Sequence, residues 1–325
     1  MKRLCLILTL TAMVATPAFS QQSAPEIPFE SLPRPLKYSP DMNLGEILGI
    51  AVNSVGHIVI LNHPGSANQG PIWSNSTTQL LEFDQDGYYV GEIGKGVYGI
   101  AYAHQVRFDD EDNLWVVDKA ANTVIKFDPD GYVSMNLGRR EEGYHGDVEL
   151  PNQREARAVG GYFNGPTDVA WDPDGNIFVS DGYVNSRMVK FDMNGNFLMD
   201  WGSYGSDIGQ FNLPHTMQAD REGNIYVGDR SNRRIQVFDS DGNFLRVLLM
   251  NVPYPADYQP PYTAINPNRR LPDATQPWSM CITDSTPQEI WVSDNEPGRI
   301  YQMALDGEIK GWLGSSGRGP GQFNW

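Results

Sequence analysis

Two histidines carry the clearest chemical signal in this 325-residue chain. His104 and His215 each begin an apolar segment that runs into an acidic turn, HQVRFDDEDN and HTMQADREGN, so they hold equivalent places in two copies of one repeat. Imidazole nitrogen is a preferred zinc ligand, and three protein ligands with one open position make a catalytic zinc site. The alternative is a pair of channel-lining histidines bonded to water or backbone, and the residues alone weigh the two about equally.

A repeated unit of about 45 residues must position these histidines. Each copy holds an apolar strand, an acidic turn, a second strand that closes on Asp, and two more strands joined by an Asp-Gly or Asn-Gly hairpin turn. The closing aspartates are Asp118, Asp181, Asp229 and Asp294. Four antiparallel strands per unit make one blade of a β-propeller, in which the first strands line a central channel. The copies occupy residues 48–94, 104–138, 166–202, 214–248 and 277–314.

The repeat predicts an all-β fold, a six-bladed β-propeller with one channel position per blade. Those positions hold Leu48, His104, Thr167, His215 and Trp278. The motif GQFN precedes the fourth blade at 209–212 and recurs at 321–324, which puts the sixth counterpart of His215 just past residue 325. We therefore expect five blades and the start of a truncated sixth within residues 45–325. Because alternate blades of such a ring are related by a pseudo-threefold axis, a third histidine there would converge with the other two on one ion.

The N-terminus has the pattern of a secretory signal peptide over residues 1–20. Two basic residues precede an apolar run from Leu4 to Ala15, and small residues follow it. This run is too short to span a bilayer, and no other segment approaches the length needed. We therefore expect a secreted or periplasmic protein without a membrane span, in which residues 21–44 form an N-terminal extension before the propeller.

The composition excludes some classes of function. Forty acidic residues against 24 basic ones give a formal net charge of −16, which argues against a surface that follows the phosphates of nucleic acid. Hydrophobic residues make up 40% of the chain and charged residues 20%, which is typical of a globular domain. We expect a folded protein with no nucleic-acid partner.

Three motifs resemble the peptidyl-α-hydroxyglycine α-amidating lyase family, whose propellers are built from NHL-type repeats. They are SDGYVNSRMVKF at 180–191, LPH at 213–215 and GDRSNRRIQVF at 228–238, and the resemblance covers about residues 45 to 325. It implies an NHL-type propeller that breaks the C–N bond of an α-hydroxyglycine amide to give an amide and glyoxylate. The substrate implied is a small-molecule or peptidyl α-hydroxyglycine, bound by a monomer.

The resemblance also implies roles for four side chains. His104 and His215 match two of the three zinc histidines of the family, Tyr183 matches its catalytic tyrosine, and Arg230 matches an active-site arginine. Tyr183 is expected to act as a base if nearby cations depress its pKa, and Arg230 is expected to hold a carboxylate or offset developing charge. The residues leave two structural alternatives open, because Tyr183 can pack beneath a loop and Arg230 can pair with Asp229 or a neighbouring acid in a surface ion pair.

A calcium site and one missing residue complete the comparison with the family. Ile50 and Val106, each two residues past a channel position, match residues whose backbone carbonyls bind calcium there. The first-blade arginine of the family is missing at residues 62–64, which read Asn-His-Pro, and this leaves the binding of a substrate carboxylate open.

Two other functions stay open at this stage. One is a non-catalytic NHL propeller that binds a protein or glycan partner through its rim or loops. A calcium lactonase is the weaker of the two, because such sites need acidic and amide side chains in the channel. The channel positions between the histidines hold Leu48, Thr167 and Trp278 instead.

Overall fold

The computed structural model describes residues 22–64, 78–139, 161–254, 275–294, 298–317 and 319–323. These residues form five four-stranded antiparallel sheets whose strands follow one another in chain order, so the predicted all-β propeller architecture is confirmed. The predicted signal peptide at residues 1–20 lies outside the described residues. No helix in the described ranges has the length and apolar character needed to cross a lipid bilayer.

Each sheet is one blade, and the first strands of the blades contact one another around the centre. Blade 1 contains β1 (Glu46–Val52), β2 (Ile58–His63), β3 (Gln79–Phe83) and β4 (Tyr89–Ile93). Blade 2 contains β5 (Ala103–Phe108), β6 (Leu114–Asp118), β7 (Thr123–Phe127) and β8 (Val133–Gly138). Blade 3 contains β9 (Asp168–Trp171), β10 (Ile177–Asp181), β11 (Arg187–Phe191) and β12 (Phe197–Trp201).

The connection to blade 4 adds a two-residue parallel pair, β13 (Ser203–Tyr204) with β14 (Gln210–Phe211). Blade 4 contains β15 (Pro214–Ala219), β16 (Ile225–Asp229), β17 (Arg234–Phe238) and β18 (Phe244–Leu248), with a 3-10 turn at Arg230–Asn232. Blade 5 contains β19 (Pro277–Ile282), β20 (Glu289–Asp294), β21 (Ile300–Ala304) and β22 (Ile309–Leu313). A second parallel pair follows it, β23 (Ser315–Ser316) with β24 (Gln322–Phe323).

The strand register confirms the repeat alignment that paired the two histidines. In four blades, the residue before the channel position pairs with a polar residue at or next to the end of the second strand. These pairs are Ile47 with Asn62, Ala103 with Asp118, Pro214 with Asp229, and Pro277 with Asp294. The channel positions therefore hold equivalent places in their first strands.

The strand-closing aspartates brace the entrance to each first strand. The Asp118 carboxylate is fully buried and accepts backbone N–H groups of Ala101 at 2.6 Å, Tyr102 at 2.9 Å and Ala121 at 2.8 Å. Burial raises the pKa of this carboxyl, and the donated N–H groups act in the opposite direction. Such a carboxylate fixes the loops around the channel, which is a structural role.

The blades pack face to face through alternate residues of their inner strands. The residue two positions past the channel position packs against the preceding blade and is buried in four blades, as Val106, Val169, Met217 and Met280. In blade 1 the equivalent residue, Ile50, is 63% exposed. The difference arises because no other described blade covers that face of β1.

The N-terminal segment joins the outer edges of the first and last described blades. Ile27 donates its N–H to the carbonyl of Trp312 in β22 at 2.7 Å, and Trp312 donates to the carbonyl of Pro25 at 3.1 Å. Lys37 donates its N–H to the carbonyl of Gly87 at 2.7 Å, and its own carbonyl accepts from Tyr89 in β4 at 3.0 Å. One stretch of chain therefore holds blade 5 and blade 1 together.

A buried ion pair fills the channel below the histidines. Arg107 on β5 donates to both carboxylate oxygens of Asp168 on β9, with Nε–Oδ1 and Nη2–Oδ2 distances of 2.7 and 2.6 Å. The same guanidinium donates to the carbonyl of Met280 on β19 at 3.0 Å. Asp168 also accepts from the hydroxyl of Thr216 and the N–H of Met217, both on β15 and both at 2.9 Å. This cluster joins the first strands of four blades.

Replacing Arg107 with methionine is expected to lower the free energy of unfolding by about 3–5 kcal/mol, because it leaves the fully buried Asp168 carboxylate without its cation. Chemical denaturation measures the loss. The matched control is Arg221→Met, whose side chain is 50% exposed and should cost less than about 1 kcal/mol. Equal losses in the two variants would contradict this account of the channel.

Candidate functional site

The structure brings the two predicted zinc histidines together in the channel. His104 on β5 and His215 on β15 are 8% and 4% exposed, and their Nε2 atoms lie 3.2 Å apart. The rings meet edge to face, with centroids 4.7 Å apart. Blades 2 and 4 therefore present their imidazoles to one point, as the repeat alignment predicts.

Backbone carbonyls fix the orientation and the tautomer of both rings. His104 Nδ1 lies 2.8 Å from the carbonyl oxygen of Thr167, and His215 Nδ1 lies 2.7 Å from that of Trp278. Because a carbonyl only accepts, each Nδ1 must carry the hydrogen, which leaves the Nε2 lone pairs facing each other. Burial, helped by the positive charge of Lys119, lowers the pKa of His104 to about 4, and burial likewise holds the pKa of His215 well below its ordinary value. Both rings are neutral at pH 7.

This geometry fits two of the ligands of a zinc ion. Two imidazole nitrogens on a tetrahedral zinc lie about 3.3 Å apart when each bond is about 2.0–2.1 Å long. The Nε2 separation of 3.2 Å agrees with that spacing, and the carbonyl bonds to Nδ1 are the outer-shell contacts that zinc-binding histidines usually make. Among the described residues, no group of three or more His, Cys, Asp or Glu side chains is arranged to hold a metal ion. The zinc site therefore stays a prediction.

Tyr183 contacts both histidines from blade 3. Its hydroxyl lies 3.1 Å from His104 Nε2 and 3.4 Å from His215 Nε2, so the side chain belongs to the site rather than only packing beneath a loop. Burial raises the pKa of Tyr183 to about 12, against the opposing charge of Arg230. The phenol is therefore protonated at pH 7 in the metal-free site.

Arg230 lies on the fourth blade, in the turn that follows β16. Its guanidinium carbon is 3.7 Å from the ring centroid of Trp278, a close cation–π contact. The alternative pairing with Asp229 does not form, because that carboxylate accepts from Arg234 Nε at 2.8 Å. Arg230 Nε is buried and has no hydrogen-bond partner in the described part of the chain. Burial lowers the pKa of Arg230, but a guanidinium keeps its charge at pH 7.

Three aromatic or basic residues near the site were not predicted from the sequence. The Lys119 ammonium lies 4.6 Å from the ring centroid of Tyr102 and 4.7 Å from that of Tyr183. Tyr102 in turn contacts His63 edge to face, with ring centroids 4.3 Å apart. The signal was present in the repeat, because Lys119 follows Asp118 as Arg230 follows Asp229.

The predicted calcium carbonyls lie on the first strands of blades 1 and 2. Ile50 pairs with Ile60 in the β1–β2 register, and Val106 pairs with Val116 in the β5–β6 register. Calcium favours carboxylate and carbonyl oxygens. The channel carboxylate of Asp168 has both oxygens bonded to Arg107, so it is not available to a calcium ion. The calcium site stays a prediction, without support from this carboxylate.

Comparison with known proteins identifies the repeats. The family model for the NHL repeat matches residues 163–191 and 211–238, which span most of blade 3 and the inner strands of blade 4. The match to a solved structure of streptogramin B lyase covers 83% of this chain and 69% of that chain, with a TM-score of 0.52 and 13% identity. A catalytically inactive virginiamycin B lyase from Staphylococcus aureus, solved with quinupristin, gives a TM-score of 0.51 at 14% identity and covers 84% and 71%. At such low identity these two structures support the fold alone.

Curated relatives include amidating enzymes from several animals. A probable peptidyl-α-hydroxyglycine α-amidating lyase of Caenorhabditis elegans is 29% identical over an alignment of 220 residues, which covers 62% of this chain and 58% of that protein. Peptidyl-glycine α-amidating monooxygenase A of Xenopus laevis is 32% identical over 232 residues, 64% of this chain and 23% of that protein. Human NHL repeat-containing protein 3 is 28% identical over 213 residues, 62% of this chain and 54% of that protein.

The fold and the repeat match define an NHL-repeat β-propeller. This propeller is related to the peptidyl-α-hydroxyglycine α-amidating lyases at about 30% identity, which confirms the resemblance read from the motifs. The match spans less than two thirds of these relatives, so their activity is not transferred to this chain by similarity alone.

Replacing Gly165 with alanine is expected to displace Tyr183. A Cβ atom at Gly165 would lie 2.6 Å from Tyr183 Cβ, and Gly165 has a φ of +75°. Gly161 is the matched control, because its φ is +77° but no atom lies within 4 Å of its added Cβ. Gly161→Ala should lower the free energy of unfolding by about 1–2 kcal/mol, and Gly165→Ala by about 1–3 kcal/mol more. Equal losses in thermal or chemical unfolding would show that Gly165 does not hold Tyr183 in place.

Proposed function

We propose that this protein is an exported, zinc-dependent lyase that cleaves the C–N bond of α-hydroxyglycine-type amides. The observation that carries the proposal is the pair of neutral histidines whose Nε2 atoms lie 3.2 Å apart, with the Tyr183 hydroxyl within 3.4 Å of both. The name of the C. elegans relative supports the same chemistry. The proposed substrate is a small-molecule or peptidyl α-hydroxyglycine, and the proposed active form is a monomer.

The reaction needs two proton movements and one bond cleavage. The α-hydroxyl group of the substrate loses its proton, the C–O bond becomes a carbonyl, and the electrons of the C–N bond pass to nitrogen. The nitrogen gains a proton, so the products are a primary amide and glyoxylate, and no oxidant or reductant is consumed. A zinc ion held by the histidines would make the substrate hydroxyl more acidic by withdrawing electron density from its oxygen.

The side chains of this chain would divide the remaining work. His104 and His215 would hold the ion, in the orientation that the Thr167 and Trp278 carbonyls impose. In its phenolate form, Tyr183, whose oxygen lies 3.1 Å from His104 Nε2, would accept the proton of a substrate hydroxyl bound beside the histidines and would return it to the departing nitrogen. Arg230 favours the phenolate form of Tyr183, which offsets part of the effect of burial on its pKa.

We place the five described blades in a six-bladed ring, with the third zinc histidine on the sixth blade. The exposed face of Ile50, whose equivalents in the other four blades are buried, supports a further blade beside β1. The parallel pair β23–β24 supports it too, because it repeats the pair β13–β14 that leads into blade 4. In such a ring the histidine-bearing blades 2 and 4 are alternate, as three converging ligands require.

The purified full-length protein is expected to hold one zinc per chain and to release glyoxylate from N-benzoyl-α-hydroxyglycine. His215→Ala should lose the zinc and the activity, because it removes a ligand that no neighbour replaces. Tyr183→Phe should keep the zinc and lose roughly 10²–10⁴-fold in kcat. Metal analysis and a glyoxylate assay measure both effects.

The control is His57→Ala, because His57 is bonded to Glu82 on blade 1, away from the channel. It should change neither zinc content nor turnover. The lyase proposal fails if the zinc-supplemented protein releases no glyoxylate, or if His215→Ala retains full activity.

A non-catalytic role as a binding propeller is the second candidate. Two observations favour it, the similarity to human NHL repeat-containing protein 3 and the lack of a third metal ligand among the described residues. This role predicts a full-length protein without stoichiometric zinc, whose binding partner is retained by the double variant His104→Ala, His215→Ala.

A further inference from the structure

One repeat position contributes side chains to the mouth of the site from several blades. It is the residue directly after the polar residue (Asn62, Asp118, Asp181 or Asp229) at or next to the end of each second strand. In blades 1 to 4 it holds His63, Lys119, Gly182 and Arg230. Blades 2 and 4, which carry the two histidines of the site, are the blades that place a cation there. Lys119 is therefore the repeat equivalent of Arg230.

Lys119 has no acidic partner in the described ranges of the chain. Its ammonium rests on the rings of Tyr102 and Tyr183, and no hydrogen bond or ion pair within 4.0 Å forms there. The adjacent Asp118 carboxylate is occupied by backbone N–H groups, including those of Ala101 and Tyr102. Burial is the main influence on Lys119 and lowers its pKa, while the charge of Glu46 favours the ammonium. A half-buried cation without a counter-ion is costly, which makes it ready to bind an anion.

Arg230 also acts electrostatically on Tyr183 and also has no ion-pair partner among the described residues. Its guanidinium carbon lies 3.7 Å from the ring centroid of Trp278, and its Nε has no hydrogen-bond partner among the described residues. Its charge is one of those that lower the pKa of Lys119. Two cations therefore act on one phenol, and neither forms an ion pair with a described carboxylate. That arrangement suits a ligand with a carboxylate next to the reacting carbon.

The first blade does not supply a charge to this mouth. His63 lies within residues 62–64, where the family resemblance leads us to expect an arginine, and it is fully buried against the ring of Tyr102. Burial, with the charge of Lys119, lowers the pKa of His63 to about 4, so this imidazole is neutral at pH 7. The ring of Tyr102 that contacts His63 is also the ring on which the Lys119 ammonium rests.

We propose that Lys119 is a specificity-determining residue that binds the substrate carboxylate together with Arg230, in place of the absent first-blade arginine. The inference rests on the proposed lyase function for the identity of the substrate. The anion site itself does not depend on zinc or on turnover, so it can be measured separately. The competing view is that Lys119 only clamps the rings of Tyr102 and Tyr183.

A binding experiment on the metal-free protein tests the anion site directly. Isothermal titration calorimetry with N-benzoylglycine, which has the carboxylate but no hydroxyl, should give measurable binding. Lys119→Met keeps most of the aliphatic stem and removes the charge, and it should weaken this binding at least tenfold. Lys119→Arg should restore most of it, since a guanidinium also binds carboxylate. The control Lys95→Met, with a side chain 80% exposed in blade 1, should leave the affinity unchanged.

Kinetics on the zinc-loaded protein distinguish a role of Lys119 in binding the substrate carboxylate from a purely structural role. For N-benzoyl-α-hydroxyglycine, Lys119→Met should raise KM at least tenfold and change kcat by less than threefold. For N-(hydroxymethyl)benzamide, which lacks the carboxylate, the same variant should match the wild type. A purely structural clamp would instead affect both substrates alike.

The outcomes keep the two proposals apart. If the wild type turns over neither substrate yet Lys119→Met loses N-benzoylglycine binding, the lyase function fails and the anion site stands. If binding and KM are unchanged in a folded Lys119→Met, the anion site fails and the lyase function is untouched. Lys119→Gln serves the same comparison if the methionine variant does not fold.

Discussion

The ion pair between Arg107 and Asp168 is the contact on which the geometry of the channel depends. A charge removed from water must be compensated by a partner at short range, and each oxygen of Asp168 meets a nitrogen of Arg107 within 2.7 Å. Arg107 also donates to the carbonyl of Met280, and Asp168 also accepts from the N–H of Met217. These hydrogen bonds form together only when the first strands of four blades converge. The two histidines lie on two of those strands, β5 and β15. Their 3.2 Å separation is therefore set by the same convergence that neutralises Arg107.

Charge is balanced below the histidines and unbalanced above them. Below, Arg107 is matched by Asp168, whereas above, Lys119 and Arg230 have no described carboxylate within ion-pair distance. The histidines between the two levels are neutral, because burial disfavours their protonated forms and the upper cations add to that effect. A chain of net charge −16 thus keeps a positive pocket at its centre. Such a pocket binds a small anion more readily than the acidic outer surface would suggest.

The sequence predicted the parts of this site that the repeat itself encodes. Equivalent places in two copies were enough to pair His104 with His215, because first strands of a propeller face one channel. Tyr183 and Arg230 came from the family resemblance, and the structure brings Tyr183 against both histidines. Arg107 could not be predicted, because its partner Asp168 lies one repeat further along the chain and only the closure of blades brings them together. Ile50 looked equivalent to Val106, yet its exposure depends on the neighbouring blade rather than on its own strand.

Because the repeat copies differ in sequence, the blades contribute different side chains to the site. At the position after the strand-closing residue, blades 2 and 4 place Lys119 and Arg230, but blade 3 has Gly182. A Cβ at Gly182 would lie 1.9 Å from the carbonyl oxygen of Pro214, a backbone atom that cannot move aside, so blade 3 has no room for a side chain there. The next residue, Tyr183, enters the site instead and reaches both histidines. Blades 2 and 4 thus each supply an imidazole and a cation to the site. Blade 3 supplies the hydroxyl group of Tyr183 instead, because the close approach of blade 4 leaves no room for a side chain at Gly182.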